Sequence, residues 1–506
     1  MIFKAFDNAR YLLEQTREIL ARTEKFDNKL YLEFGGKLMH DYHAARVLPG
    51  YDPDVKLHLL QQLRDQAEII LCVYAGDIER RKLRGDLGIT YDAYSLKLID
   101  DLTENGLWVS TVVLTRHNDH PLVRSFAARL EGRNIRVVRH SATRGYPGDV
   151  DTIVSDEGYG ANPYIETTRP VVVVTGPGPG SGKLATCLSQ LYHDSRRGIR
   201  AGYAKFETFP VWHLPLKHPV NIAYEAAAAD MRDVNMIDPH YVEAHNGKIA
   251  VNYNRDIEAF PLLRAIWEKI SHANCPYASP TDMGVNRVWA GVTSEDAVCA
   301  AARQEIIRRF FLYSTAHVKG TCEPQTVERV STLMKSLGLS ETDRRVVSLA
   351  RKAAEDCQKQ GKGYKGIHSG AAIELRDGRV ITGKNSPYMH ASASAVMNAV
   401  KALAGIPDDL HLLLPHVINT ITHMKGEILQ SKFASLNLDE MLIALAICST
   451  MNSAAEAAMK KLRELRKCEM HLSHIPSPGD EAGLRRLVLR YTCEPVFATQ
   501  DLYVAE

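Results

Sequence analysis

The chain is short of several things, and each shortage excludes a class of protein. Its nine cysteines are scattered, odd in number and never spaced as C-x-x-C. That argues against a disulfide framework and against a structural zinc site, so no zinc is expected. Net charge is nearly absent, with 62 Lys and Arg against 60 Asp and Glu. No broad basic field is therefore available to hold nucleic acid or an anionic membrane. The longest apolar runs, such as 170–175 and 441–448, fall far short of the roughly 20 residues that span a bilayer. The first ten residues carry Lys4, Asp7 and Arg10, which leaves no apolar core for a signal peptide. No internal repeat or low-complexity tract is found. The expectation is a cytoplasmic protein without a nucleic-acid or membrane partner.

What is present is the composition of a soluble globular protein, 45% hydrophobic and 24% charged over 506 residues, enough for two or three domains. Strand-like runs at 30–34, 68–74, 107–115 and 135–140 alternate with helix-length segments at 54–67 and 121–131. This order predicts an α/β fold, a parallel sheet covered by helices on both faces, built from Rossmann-like and P-loop-like units. Residues 1–165 read as a Rossmann-like unit and 166–320 as a P-loop-like unit, with their continuity as one body left open. Residues 215–300 are irregular and predict long pocket-forming loops. Residues 321–506 predict a smaller α+β domain, with a hairpin over 371–383 turning at Asp377–Gly378 and a late strand pair at 468–474 and 484–493.

The most informative stretch runs from a buried strand at 170–175 through Gly176, Gly178, Gly180, Ser181 and Gly182 into a helix opening at Lys183. Glycines let backbone N–H groups converge on phosphate oxygens, the helix start adds partial positive charge, and the lysine adds a full one. The pattern departs from G-x-x-x-x-G-K-[ST] in two ways. Gly176 is one residue too distant, and Leu184 stands where a magnesium-holding Ser or Thr is required, with Thr186 as a substitute. The span from Lys183 to the Ala-Gly-Tyr-Ala-Lys205 segment resembles dethiobiotin synthetase and its P-loop relatives, in which the second lysine faces the substrate. That resemblance makes Lys205 a candidate for an anionic substrate group, with Glu207 beside it as a base or metal residue.

Other constellations are weaker. Gly35, Gly36 and Lys37 form a second strand–Gly-Gly–Lys unit leading into a helix, similar to the K-F-G-G-S opening of amino-acid kinases, although Glu33 stands where their lysine does. Asp77, and likewise Arg116 and His117, follow buried strands at the edge where open α/β sheets bind ligands. Asp156 and Glu157 lie ahead of the glycine loop, where carboxylates could hold the magnesium of a triphosphate or act as base. Asn252, Asn254 and Arg255 belong to one of three clusters of short polar side chains in the irregular region, and such clusters line pockets or satisfy turns. In the C-terminal part, the hairpin followed by His390-Ala391-Ser392 resembles cytidine deaminases. Their catalytic Glu is replaced by Ser392 and no P-C-x-x-C follows, so the resemblance implies the fold without the chemistry.

Taken whole, the chain resembles a widespread bacterial family known only as a domain of unknown function, some members of which carry the label ATP-dependent. Its most specific words are residues 32–37, 74–79, 151–160, 176–190, 205–212 and 251–256. The leading expectation is a nucleotide-binding enzyme, possible as a homo-oligomer, that couples ATP and Mg2+ to phosphoryl transfer or ligation on a small anionic metabolite. Residues 176–183 with Thr186 would hold phosphate; Lys205, Glu207, Asp156 and Glu157 would do the chemistry; Gly35, Gly36, Lys37, Asp77, Asn252, Asn254 and Arg255 would bind substrate. A non-catalytic phosphometabolite sensor and an ATP-independent enzyme acting on a phosphorylated substrate are the alternatives.

Overall fold

The computed structural model describes residues 4–84 and 88–499. The chain divides into two compact units, one up to Ala302 and one from Arg303 onward. The break falls inside the helix Glu295–Val318.

The first unit is organised by seven strands: β1 Leu30–Phe34, β2 Ala67–Tyr74, β3 Val109–Thr115, β4 Arg136–Arg139, β5 Val171–Thr175, β6 Gly202–Phe206 and β7 Gly284–Val285. They pair in the order 7-6-1-5-2-3-4, and each neighbouring pair is parallel. β1 and β5 are buried along their whole length, which is why, Glu33 apart, they read as near-continuous apolar runs rather than as alternation. β5 lies between β1 and β2, so residues on both sides of 165 share one sheet.

Two crossovers leave the middle of this sheet in opposite directions. The chain runs from β1 to β2 through the helices Tyr42–Val47 and Val55–Gln62, and from β5 to β6 through Lys183–Arg196. Lys56 of the first crossover lies 5.9 Å from the ring centre of Phe206, which stacks on Phe34 at 4.3 Å. The second crossover meets the other face: the Tyr31 hydroxyl donates to Asp194 at 2.6 Å and Cys72 Sγ to Thr186 at 3.4 Å. Lys205 and Phe206 are consecutive in β6 and so point to opposite faces. Chains diverging from adjacent strands onto opposite faces open a crevice at the carboxyl ends of β1 and β5, where open α/β sheets bind ligands.

The 215–300 region is more regular than its sequence suggests. It folds into helices Pro219–Ala227, Pro239–Ala244 and Asn254–Ser271, with a short antiparallel hairpin of Asn235–Ile237 and Val251–Tyr253. The 18-residue helix Asn254–Ser271 carries Pro261 in its interior, where proline removes a backbone donor and normally argues for a helix end. Burial of Phe260, Leu263, Ile266 and Trp267 against the main core overrides that local preference.

In the second unit β8 Gly370–Glu374, β9 Val380–Lys384, β10 Glu469–Leu472 and β11 Arg490–Cys493 form a sheet in the order 9-8-10-11. β8 and β9 are the expected hairpin. β10 and β11 pair in parallel, so a crossover must join them. The helix Pro478–Arg486 provides it, and the last strand starts at Arg490 rather than at 484. Helices Ala391–Ala404 and Leu438–Ser449 build the core over this sheet. Among the described residues no helix is long and apolar enough to cross a membrane.

Candidate functional site

The glycine loop leaves β5 at the crevice and ends at Gly182, whose φ of 91° caps the helix Lys183–Arg196. A side chain at Gly182 would place its Cβ 2.8 Å from Thr115 Cβ, and one at Gly176 would lie 2.3 Å from Ser181 Oγ. The neighbouring strand end fastens the loop: Thr115 Oγ1 donates to Ser181 O at 2.7 Å and Arg116 Nη2 to Gly180 O at 2.7 Å. Ser181 is 2% exposed, and among the described residues its Oγ has no hydrogen-bond partner. Lys183 is half-buried. Among the described residues no hydrogen bond or ion pair reaches its ammonium. Its charge is felt by the thiols of Cys72 and Cys187, where it opposes the burial that pushes Cys72 up to about 12 and raises Cys187 as well.

Beside the loop, β1 and β6 bring a charged group to the same edge. Glu33 is the register partner of Lys205, and its carboxylate accepts the Tyr203 hydroxyl at 2.8 Å. Lys205 Nζ lies 2.8 Å from Glu207 Oε1 and is ion-paired with Asp256. Burial alone would lower the Lys205 pKa; the charges of Asp256, Glu207 and Glu33 outweigh it and hold the ammonium above the ordinary lysine range. Burial pushes the Glu207 carboxyl up to about 7, with Lys205 opposing and Asp256 reinforcing the shift. β6 and β5 are separated by β1 alone, two strand spacings or about 10 Å. Glu207 follows β6, and its carboxylate lies toward β7, with Oε2 3.7 Å from where a Cβ on Gly284 would stand.

Glu207 also opens onto a recess with Trp212, Asn252, Thr281 and Asn286. This widens into a cleft of ≈ 140 Å³ bounded by Arg22, Tyr241 and Arg287. Asn252 reaches Thr281 Oγ1 at 3.2 Å, and Thr281 donates to the buried Asp238 at 2.7 Å. Asn254 and Arg255 do other work: Asn254 Oδ1 accepts the Val234 N–H at 2.9 Å, and Arg255 pairs with Asp233 at 3.1 Å. Both fix the hairpin rather than line the cleft.

Several expected site residues lie elsewhere. Thr186 turns its hydroxyl into the core, donating to Gly182 O at 3.0 Å and accepting from Cys72. Leu184 packs against the same core. Neither is placed to hold magnesium at the loop. Asp156 and Glu157 are 79% and 70% exposed on their side chains and pair with Arg196 and Arg144. Asp156 accepts the Tyr192 hydroxyl, and Tyr192 is nine residues along the helix from Lys183, about 13 Å. These carboxylates therefore sit near the far end of that helix, not beside the loop. Lys37 is exposed, and the next helix begins only at Tyr42, so no helix start reinforces a charge there. The cation behind Gly35 and Gly36 is instead Lys56, 2% exposed, bonded to Lys37 O at 3.2 Å and Asp41 at 2.9 Å. Asp77 is buried at the end of β2, ion-paired with Arg80 and 3.6 Å from Lys82.

Asp256 was not singled out from the sequence. Its signal, an acidic residue in a first helical turn, was masked by the proline five residues later. Glu33 appeared only as a mismatch to a kinase motif, because its partnership with Lys205 depends on strand order.

In the second unit His390, where the deaminase resemblance places a metal ligand, gives its Nδ1 to Asp480 at 2.7 Å. The same carboxylate accepts from Ser392 Oγ at 2.5 Å, Ser477 Oγ at 2.6 Å and the Leu438 N–H at 2.9 Å. Together these donors and the His390 charge hold Asp480 far below the ordinary carboxylate range against its own burial. A separate trio, His218, Glu295 and Cys299, brings metal-capable atoms within 4.8 Å of one another. His218 Nδ1, however, accepts the Val220 N–H at 3.3 Å. That leaves the ring proton on Nε2, the atom facing Glu295 and Cys299.

The model for "Domain of unknown function DUF1846, N-terminal" matches residues 4–338, and its C-terminal counterpart matches 342–503. A UPF0371 protein of Clostridium tetani is 52% identical over 98% of this chain and 99% of its own length. UPF0371 proteins of Fusobacterium nucleatum and Clostridium botulinum are 53% and 52% identical over the same shares. With both family models matched and full-length relatives above half identity, the chain belongs to the DUF1846 family of bacterial proteins, also called UPF0371.

Proposed function

We propose that this protein is an enzyme acting on a small phosphorylated metabolite, whose phosphate sits on residues 176–183 and whose reacting centre meets Glu207. The observation that carries the reading is the half-buried ammonium of Lys183, which has no ion pair among the described residues, at the start of a helix and two residues from Ser181, whose hydroxyl is likewise unpartnered among them. Backbone N–H groups and a lysine converging at such a position favour an anion. Glu207, with a pKa near neutrality, is suited to carry a proton in either direction. Lys205, fixed between Glu207 and Asp256, would hold that carboxyl in place and balance charge that develops on it.

The order strand, glycine loop, lysine, helix also favours a nucleotide, so ATP-coupled transfer is the second reading. Its magnesium does not fit the loop, because Leu184 and Thr186 face the core and Asp156 and Glu157 lie at the other end of the helix. Calorimetric titration with inorganic phosphate, a panel of phosphate monoesters and ATP, each with and without Mg2+, separates the two. The proposal expects monoesters to bind independently of Mg2+. Tighter, Mg2+-dependent binding of ATP replaces it with the second reading, and no binding by any phosphate rejects both.

A further inference from the structure

The helix Leu438–Ser449 is apolar on both of its faces. Met441, Ala444, Leu445 and Cys448 face the core of the second unit. On the opposite side Ile443 and Ile447, four apart, are 56% and 48% exposed, and Met451, just past the end of the helix, is 78% exposed. A helix without a polar stripe is normally covered on both sides. A second apolar segment adjoins the stripe. Lys425 Nζ bonds Glu440 and Ser435 O at 2.8 and 2.7 Å, which fastens the turn carrying the exposed Met424, Ile428 and Leu429 beside the helix. Glu440 precedes Ile443 by three residues and so shares its face. These six side chains present roughly 500 Å² of apolar surface, at the upper end for a soluble monomer.

We infer that this face is the contact between two copies of the chain, related by a two-fold axis passing near Ile447. Two observations favour a second copy over a charged partner. The acidic residues at the start of the helix are neutralised within the chain, Glu440 by Lys425 and Asp439 by Arg486, so they offer no free charge to hold an acidic or basic ligand. The apolar area, doubled by a two-fold, reaches about 1,000 Å², the threshold for a biological interface, before its polar rim is counted. Residues repeating at i and i+4 form a ridge that can interlock with its own copy, and an isologous contact needs only such self-complementarity.

The test is multi-angle light scattering of the full chain across a concentration series, with the double variant Ile443→Glu, Ile447→Glu alongside. The wild type is expected at twice the chain mass, and the double variant at the chain mass with dissociation at least ~100-fold easier. A single Ile447→Cys variant, oxidised and compared with oxidised wild type, is expected to give a covalent dimer, because residues near a two-fold axis meet their own copies. That arm decides the matter even if the double variant fails to fold. A wild type that stays monomeric at tens of micromolar overturns the inference. So does a dimer that survives both glutamates, or an Ile447→Cys protein that does not cross-link.

Discussion

Replacing Lys183 by alanine separates a ligand-binding lysine from a structural one. In the free protein the ammonium has no hydrogen bond or ion pair among the described residues, so its removal leaves no buried partner unsatisfied. A substitution of that kind changes folding stability by no more than about 0.5 kcal/mol. In the complex the same ammonium would donate to a phosphate oxygen, and a hydrogen bond to a charged group is worth about 1.5–3 kcal/mol. That converts to a loss of roughly 10- to 150-fold in affinity. Binding should weaken without vanishing, because the loop amides and the start of the helix Lys183–Arg196 remain. The measurement pairs calorimetric titration of phosphate or a bound monoester with urea unfolding of both proteins. Equal affinities for wild type and Lys183→Ala would falsify the placement of phosphate on the loop. A variant destabilised by 2 kcal/mol or more would instead make Lys183 a structural residue.

Three further outcomes follow from the geometry. Gly182→Ala, at φ 91° with its new Cβ 2.8 Å from Thr115, should cost more than 2 kcal/mol, against about 1 kcal/mol for Gly180→Ala, which is at φ 71° with open space around it; thermal unfolding of the two variants, and loss of phosphate binding in the first, checks this. Glu207 has a folded pKa raised to about 7 from 4.5, so its contribution to stability is fully present below pH 4.5 and is lost as pH rises through 7; in Glu207→Gln the pH dependence of unfolding between those limits should flatten, and an unchanged slope would count against the shift. Asp480→Ala strands the His390, Ser392, Ser477 and Leu438 donors, and breaking a buried pair of this kind costs about 3–5 kcal/mol. The Asp480 pKa is depressed, so this stability is present above the unfolded value near 4 and falls away below it; native Cys448 modification, a reporter from the same core, should speed up in the variant at neutral pH.

Much of the frame was legible one segment at a time. Runs such as 170–175 and, Glu33 apart, 30–34 are apolar on both faces because their strands are buried on both faces, and that is a local signal. The glycine loop was legible for the same reason. Gly180 and Gly182 adopt positive φ, a demand that the chain itself must meet wherever the loop lies. The helix Asn254–Ser271 was hidden because a proline sits inside it, and only packing against the core pays for that.

What the sequence determined, then, is the set of parallel strands, the flexible turn and the lysine that follows it, each dictated by side-chain period and backbone freedom within a few residues. The tertiary structure decided their company. It put β1 between β5 and β6, so that Glu33 stands beside Lys205, and it brought Asp256 from 51 residues away to the same ammonium. It also turned Thr186 inward and left Asp156 at the far end of the helix. In the second unit it closed Asp480 over a histidine 90 positions earlier. Strand order and crossover face depend on which distant surfaces bury one another, and no local period encodes that. Which charges end up paired, as Lys205 is with Glu207 and Asp256, follows from the same long-range packing.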